Sequence, residues 1–193
     1  MLSVRSDTQD RILDAAESVF AQNGYRGGAL NDVAVAAGYT RAGLLHHYPS
    51  KEALLLAILE RRDERVHARE SIAAEDSIFD VLEKLPALAR PLLELRVLIE
   101  LGHIVTAEAA SPDHPAHAWC VARERQLRED LAGSIERAKS RGELRPDVDS
   151  VTLGALVLAS IEGLESQWLL DDSVDVLGGM DILRRLLESF RPA

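Results

Sequence analysis

The sequence predicts an all-α fold of about nine helices, of which the first three form a small N-terminal unit. Aromatic residues make up only 4% of the 193 residues, whereas alanine and leucine are abundant, and this composition favours helices over sheets. Proline and glycine divide the chain into segments of helical length, and no segment shows convincing strand alternation. A content of 47% hydrophobic and 28% charged residues is typical of a globular protein and excludes a disordered one.

Capping and stop signals set the boundaries of the individual helices. Asn23-Gly24 and Gly38 are C-terminal stops, because glycine adopts the left-handed conformation that ends a helix. Thr40 and Ser50 are N-caps, because a hydroxyl oxygen accepts a backbone N–H of the first turn. The helices predicted in this way cover residues 7–23, 30–37, 40–47, 50–70, 77–90, 91–110, 116–141, 150–170 and 174–190.

The net charge of −10 is distributed unevenly along the chain. Residues 1–51 carry five basic and five acidic side chains, so the remainder of the chain carries the whole excess. The segment from Arg26 to Lys51 contains three basic residues, one acidic residue and two adjacent histidines. A duplex responds to a local cationic patch and not to the average charge, so the acidic total does not exclude nucleic acid as a partner.

The two short helices joined across Gly38 predict a helix-turn-helix. Ala34 and Ala37 are small enough for the helices to cross closely, and the second helix can then enter a major groove. Lys51, at the start of the next helix, would add a contact to the phosphate backbone. Any helical domain can contain two short helices with a glycine between them, so this pattern alone leaves a purely structural interpretation open. The exposed candidates on the second helix are Thr40, Arg41, Gly43, His46 and His47.

Three segments taken together resemble the TetR family of transcriptional regulators. They are RILDAAESVFAQNGY, LNDVAVAAGYT and LLHHYPSKEALLLAIL, which span about residues 8–60 with their internal spacing intact. RGELRPDVDSVTLGALVLASIEGLESQWLLD has a weaker resemblance to the end of many such regulators. The resemblance implies a DNA-binding domain in residues 1–50, or about 8–68 with the connecting helix. It also implies a helical effector-binding and dimerisation domain in residues 51–193.

The resemblance assigns roles by position, and this chain departs from the family pattern at two places. Gly28-Ala29 replaces the usual hydroxyl residue at the start of the second helix, and Leu45 replaces the usual tyrosine. Leu45 could contact a thymine methyl group but cannot donate a hydrogen bond to phosphate. The resemblance implies that Asn31, Arg41 and Gly43 contact base edges. It implies that Thr40, His47, Tyr48 and Lys51 contact or frame the phosphates.

The last two helices predict a two-fold interface. The helix over 150–170 is apolar almost all round, so it should be buried on more than one side, and the final helix has an apolar stripe. Such a pair suits a four-helix bundle with a second copy, although it could also complete the core of a monomer. The resemblance favours a homodimer on a palindromic operator. The predicted interface residues are Leu153, Leu156, Val157, Ile161, Leu164, Ile182, Leu186 and Phe190.

An effector pocket is predicted among the middle helices. A ligand that fits only one spacing of the two DNA-binding units would lower operator affinity by a population shift. The low aromatic content indicates an aliphatic lining for this small-molecule effector. Each candidate could equally be an ordinary core residue. The candidates are Leu85, Leu88, Leu92, Leu95, Ile99, His103, Trp119 and Trp168.

The residues also suggest two other classes of function, a metal enzyme and a helical adaptor. His103, Asp113, His114 and His117 suggest a metal enzyme, but Pro115 interrupts the closest pair and no second pair has metal-ligand spacing. No phosphate loop, nucleophile elbow or paired cysteine motif is present, and Cys120 is expected to be a buried thiol. No catalytic residue, metal or cofactor is therefore predicted. A helical adaptor that does not bind DNA remains the alternative that the departures at Ala29 and Leu45 support.

The expected location is the cytoplasm, without a membrane partner. The chain begins with charged residues where a signal peptide would need an apolar core, and its uncharged runs are too short to cross a bilayer. One cysteine fits a reducing compartment. The predicted function is a ligand-responsive regulator, with repression favoured over activation, that binds double-stranded DNA as a homodimer.

Overall fold

The computed structural model of the chain describes residues 7–67 and 72–192. Over these residues the chain forms nine α-helices and no β-strand, so the prediction of an all-α fold is confirmed. None of the helices described has both the length and the apolarity needed to cross a membrane. The helices are α1 (Asp7–Gly27), α2 (Leu30–Ala37), α3 (Arg41–His47), α4 (Lys51–His67), α5 (Ile78–Leu93), α6 (Arg96–Glu108), α7 (His117–Ser140), α8 (Ser150–Leu170) and α9 (Val176–Glu188).

Most predicted boundaries agree with these helices, and the two prominent differences arise at a glycine and a proline. Gly24 has φ +68° and ψ 173°, so it breaks α1 as expected, but a further helical turn continues to Gly27. The predicted junction at Pro91 is wrong, because α5 passes through Pro86 and Pro91 before it ends. The end predicted for α4 near residue 70 lies outside the described residues.

Tertiary packing explains why α5 continues through its prolines. A proline inside a helix removes one hydrogen bond and costs about 3 kcal/mol. Leu85, Ala89 and Leu93 lie on one side of α5 and pack into an apolar cluster with residues of α8 and α9. The apolar area that these side chains remove from water is worth roughly 25 cal/mol per Å², and this gain opposes the cost of the two prolines.

The chain divides into two compact units, each of which is built from two separate stretches of the sequence. The described residues of the first unit are 7–67 and 95–120, and those of the second are 72–94 and 121–192. Helix α6 therefore belongs with α1–α4, and it packs against α1. The functional division that the resemblance implies near residue 50 stays a prediction.

The core of the first unit lies between α1 and its neighbours. The apolar stripe of α1 places Ile12 and Phe20 in this core, where both are completely buried. Val33 of α2, Leu44 of α3 and Ile58 of α4 are also completely buried and pack into the same cluster. The two short helices α2 and α3 are thus anchored in the core that α1 and α4 share, and their other residues are largely exposed to solvent.

The second unit buries part of the surface that was predicted to form the dimer interface. Leu153 and Val157 of α8 lie in an apolar core with residues of α5, α7 and α9, and Val157 is completely buried. These two residues therefore contribute to the unit's own core instead of an external surface. Because α8 is apolar almost all round, its sequence does not distinguish the face that packs inward from the face that remains outside.

Candidate DNA-binding site

The turn between α2 and α3 is held in place by α1. Gly38 ends α2 in the left-handed conformation, with φ +75°. The Arg11 guanidinium donates a hydrogen bond of 3.1 Å to the Ala37 carbonyl and lies 5.4 Å from the centroid of the Tyr39 ring. The Tyr39 hydroxyl is in turn within 3.2 Å of the Thr8 hydroxyl. These contacts fix the angle at which α3 leaves the turn.

Helix α3 has a capped start and an anchored inner face. Thr40 is its N-cap, as predicted, and its Oγ1 accepts a 3.1 Å hydrogen bond from the Gly43 N–H. Leu44 is completely buried in the core, and Leu45 packs partly against the same core. The side chain of Arg41 is exposed in the first turn, next to the cap. A basic group at the start of a short exposed helix is suited to a base edge or a phosphate.

The exposure of the nine predicted DNA-contacting residues separates Tyr48 from the others. Its side chain is only 8% exposed and belongs to the core of the first unit. That Tyr48 contacts or frames the phosphates stays a prediction, and its burial shows that the ring packs into the core that also holds Leu44 of α3. Its position four residues after the buried Leu44 was a sequence signal for this orientation. Of the other residues, Asn31, Thr40, Arg41 and His46 are exposed, and Gly43, Leu45, His47 and Lys51 are half-buried.

Lys51 is directed toward a pair of aromatic rings at the end of α1. Its ammonium donates a 3.3 Å hydrogen bond to the Arg26 carbonyl and lies 4.7 Å from the centroid of Tyr25 and 5.7 Å from that of Phe20. Partial burial lowers the pKa of Lys51, and the Glu108 carboxylate opposes this shift. Lys51 therefore stabilises the first unit, and its contact with phosphate stays a prediction.

Packing explains the unusual start of α2. A Cβ on Gly28 would lie 2.5 Å from Cδ1 of the buried Phe20, so a larger residue would require the core to shift. Ala29 occupies the N-cap position and provides no side-chain hydrogen bond. The departure from the family pattern at Gly28 is therefore a consequence of close backbone approach to Phe20.

Sequence reasoning missed a buried arginine that joins α4 to α1. Arg61 is 3% exposed, and its Nε and Nη2 donate hydrogen bonds of 3.0 and 2.5 Å to Oε1 of Glu17. Its Nη1 also donates a 3.2 Å hydrogen bond to the Asp10 carbonyl. The signal was present in the sequence, since Arg61 follows Leu54 and Ile58 at helical spacing on the buried stripe of α4.

The histidines that suggested a metal site make other contacts. The His114 Nδ1 accepts a 3.2 Å hydrogen bond from the Ala116 N–H, and the His117 Nδ1 lies 2.7 Å from the Ala109 carbonyl. Among the residues that the structure describes, no group of three or more His, Cys, Asp or Glu side chains is arranged to hold a metal ion. Cys120 is a buried thiol, as expected.

The predicted effector-pocket residues are shared between the two compact units. Ile99 is 5% exposed, and the other seven are half-buried. The pocket itself stays a prediction. Leu95, Ile99, His103 and Trp119 belong to the first unit, and Leu85, Leu88, Leu92 and Trp168 belong to the second.

Three of the predicted interface residues are exposed apolar side chains of α8 and α9. Leu156, Ile182 and Leu186 have exposed fractions of 58%, 53% and 60%. Large apolar side chains at such exposure are suited to burial by another protein surface. The remaining predicted residues, Ile161, Leu164 and Phe190, are half-buried against the apolar clusters of the second unit.

The anchored α3, with its exposed arginine and its braced turn, defines a helix-turn-helix protein of the class that binds DNA. Residues 12–58 match the family described as "Bacterial regulatory proteins, tetR family". The chain is 31% identical over 172 residues to the HTH-type transcriptional regulator CymR of Pseudomonas putida, covering 86% of this chain and 82% of CymR. The chain belongs to the TetR family.

Solved structures agree with this assignment along almost the whole chain. Salmonella enterica GusR superposes with a TM-score of 0.75 at 26% identity, covering 98% of this chain and 97% of GusR. A transcriptional regulator from Saccharomonospora viridis in complex with choline has a TM-score of 0.70 at 27% identity, with 96% of each chain covered. The protein is thus a ligand-responsive transcriptional regulator of a family that binds operator DNA as dimers. The curated relatives are regulators and not enzymes.

Proposed function

We propose that this regulator is a repressor that binds a palindromic operator through α3 of each protomer and is released by a small-molecule effector. It acts in the cytoplasm, where bacterial operator DNA is located. The observation that carries the proposal is the exposed Arg41 at the capped start of α3, a helix whose inner side is anchored by the buried Leu44. An arginine in this position is suited to the O6 and N7 acceptors of guanine.

The other contacts follow from exposure and chemistry. Asn31 is exposed on α2 and suits an adenine edge, and the half-buried Leu45 can contact a thymine methyl group. Gly43 allows the DNA to approach the backbone of α3 closely. The remaining polar contacts proposed for the phosphates and flanking bases are made by Thr40, His46, His47 and Lys51.

The dimer forms through the apolar surface of α8 and α9. Leu156, Ile182 and Leu186 are exposed in the protomer, and their burial against the same residues of a second copy would give a two-fold interface. A two-fold dimer presents two copies of α3 to two half-sites, so the operator has inverted-repeat symmetry.

The small-molecule effector binds within the helices that follow the DNA-binding domain. A ligand that binds only one conformation shifts the population toward it and lowers operator affinity in proportion to its preference. The choline complex of the Saccharomonospora viridis relative supports a small-molecule effector in this protein.

Selection of genomic DNA fragments by the purified full-length protein tests the proposal. The best fragment is then footprinted at two salt concentrations. We expect a protected inverted repeat whose affinity falls steeply with salt, because phosphate contacts release counterions. A folded dimer that enriches no fragment would favour the adaptor alternative.

Two substitutions distinguish base reading from phosphate binding. Arg41→Ala should relax specificity at one or two base pairs, whereas Lys51→Ala should weaken all sequences similarly and reduce the salt slope by about one. Arg125→Ala is the matched control, since it also removes an exposed positive charge, but from α7 in the second unit. An equal loss on all sequences for Arg41→Ala would contradict its role in base reading.

A further inference from the structure

We propose that Glu108 and His114 form a proton-controlled junction within the first unit that positions the end of α1 and thereby makes operator affinity depend on pH. The proposal rests on the DNA-binding function. It assigns to Glu108 the role of a positioning residue, because the carboxylate acts through Tyr25 and Lys51 and has no contact with DNA.

The first step is the contact between the end of α6 and the break in α1. The Glu108 Oε2 accepts a 2.8 Å hydrogen bond from the Tyr25 N–H. Gly24 has a positive φ at this point, and a Cβ there would lie 2.7 Å from the Glu108 Oε1. The break separates the Tyr25 N–H from the preceding helix, so the carboxylate acts as the N-terminal cap of the short turn that follows.

The second step connects this turn to the DNA-binding surface. The Tyr25 ring lies 4.7 Å from the Lys51 ammonium, which also donates a hydrogen bond to the Arg26 carbonyl. Lys51 is the first residue of α4 and lies four residues after the end of α3. Displacement of the turn at Tyr25 and Arg26 would therefore change the position of a cationic group beside the recognition helix.

The third step is the histidine on the other side of the carboxylate. The His114 side chain is 1% exposed, and its ring packs edge-on against Tyr25 at a centroid distance of 5.0 Å. Its Nδ1 accepts the Ala116 N–H, so the proton of the neutral ring is on Nε2. Within the described parts of the chain, Nε2 has no hydrogen-bond partner, and the Glu108 Oε2 is 3.8 Å away.

Protonation changes both sides of the His114 ring. A proton taken from solvent onto Nδ1 removes the acceptor for the Ala116 N–H, and the positive charge strengthens the attraction between Nε2–H and the Glu108 carboxylate. The carboxylate moves toward His114 and away from the Tyr25 N–H. The short turn that follows Gly24 then loses its N-terminal cap. The Tyr25 ring and the Arg26 carbonyl, which contact Lys51, are then held less firmly.

The charges around His114 determine the direction of the pH dependence. The titratable and charged groups that face it are Glu108 from α6, Tyr25 and Arg26 from α1, and Lys51 from α4 near the Tyr25 ring. In the conformation described, burial lowers the pKa of His114, Glu108 opposes the shift and Arg26 adds to it. In the alternative conformation the Glu108 carboxylate lies closer to His114 and raises the pKa of His114. Protons therefore favour the loosened state, and operator affinity falls as the pH decreases.

The experiment is a measurement of operator affinity between about pH 7.5 and 5.5 at constant ionic strength. If release of the operator is coupled to the uptake of one proton, operator affinity changes by at most about tenfold per pH unit. Over this pH range we therefore expect the wild type to lose about three- to tenfold more operator affinity than His114→Gln. Glu108→Gln keeps an oxygen that can accept the Tyr25 N–H but removes the charge. It should bind as tightly as the wild type at high pH and show the same flattened pH profile as His114→Gln.

His117→Gln is the matched control, because it removes a neighbouring imidazole that contacts the Ala109 carbonyl and not Glu108. It should retain the wild-type pH profile. Identical pH profiles for the wild type, His114→Gln and Glu108→Gln would overturn the proposal.

A second readout does not require DNA. In the free wild-type protein the amide resonance of Tyr25 should titrate together with the ring of His114, and Glu108→Gln should abolish this coupling. This measurement decides the question if His114→Gln fails to fold or if no operator is found. A Tyr25 amide that does not respond while His114 titrates would overturn the proposal.

Discussion

Replacement of the buried Arg61 by methionine tests whether the connection between α4 and α1 holds the DNA-binding unit together. Methionine keeps much of the aliphatic volume but removes the guanidinium, which donates three hydrogen bonds to Glu17 and to the Asp10 carbonyl. The Glu17 side chain is only 7% exposed, so its carboxylate would stay in a mostly buried environment without this partner. Asp14 also pairs with Arg61 at 2.9 Å but is 63% exposed.

The expected loss of stability comes mainly from Glu17. Removal of one partner from a buried ion pair costs about 3–5 kcal/mol, because the remaining charge stays desolvated after the opposite charge is lost. The exposed Asp14 contributes less than about 1 kcal/mol, since water screens its charge. Arg61→Met should therefore lower the free energy of unfolding of the first unit by about 3–5 kcal/mol.

The double substitution Arg61→Met with Glu17→Leu should recover most of this loss, because it removes both charges and leaves apolar side chains in their place. Arg26→Met is the control, since this arginine lies in the same unit but its side chain is exposed. The control should change the unfolding free energy by less than about 1 kcal/mol.

Urea denaturation followed by fluorescence measures the effect in the unit concerned. Trp119 packs against the core of the first unit, so a Trp168→Phe background leaves a reporter for that unit alone. Protein concentration is held constant, because the stability of a dimer depends on it. A loss below about 1 kcal/mol for Arg61→Met, or a double variant no more stable than the single one, would refute the reasoning.

Three further substitutions test individual features of the site and the interface. Gly38→Ala should lower the unfolding free energy by about 1–2 kcal/mol, because the left-handed backbone disfavours a Cβ, and Gly38→Asn should cost less; urea denaturation compares them. Gly43→Ala should stabilise α3 by up to about 1 kcal/mol, since its Cβ would make only ordinary contacts with Thr40 and Tyr39. It should nevertheless weaken operator binding, and unchanged affinity would contradict close approach of DNA. Leu186→Asp should dissociate the dimer in sedimentation velocity, whereas Val121→Asp, at a side chain that is 40% exposed on α7, should not.

Local signals along the sequence predicted much of the recognition element. The bounds of α2 agree with the structure, Gly38 ends that helix, and Thr40 caps the next one. Caps and stops act over three or four residues, so the amino acids that determine them are adjacent in sequence. The exposure of Arg41 and the burial of Leu44 follow from the same short helical period.

Contacts between distant residues were not accessible in this way. Glu108 contacts an amide 83 positions earlier in the chain, and Arg61 contacts a carboxylate 44 positions earlier. No local pattern encodes which distant side chain completes such a pair. The contact of Lys51 with the rings of Phe20 and Tyr25 was missed for the same reason, because it depends on how α1 and α4 pack.

Composition, helical periodicity and capping residues are properties of neighbouring amino acids, and they determined the all-α class, most helix boundaries and the helix-turn-helix. Tertiary structure decided which side of each helix is covered. Helix α8 is apolar almost all round, so only packing against α5, α7 and α9 buries Leu153 and Val157 and leaves Leu156 outside. Packing also carries α5 through Pro91, because burial of its apolar side chains offsets the lost hydrogen bond.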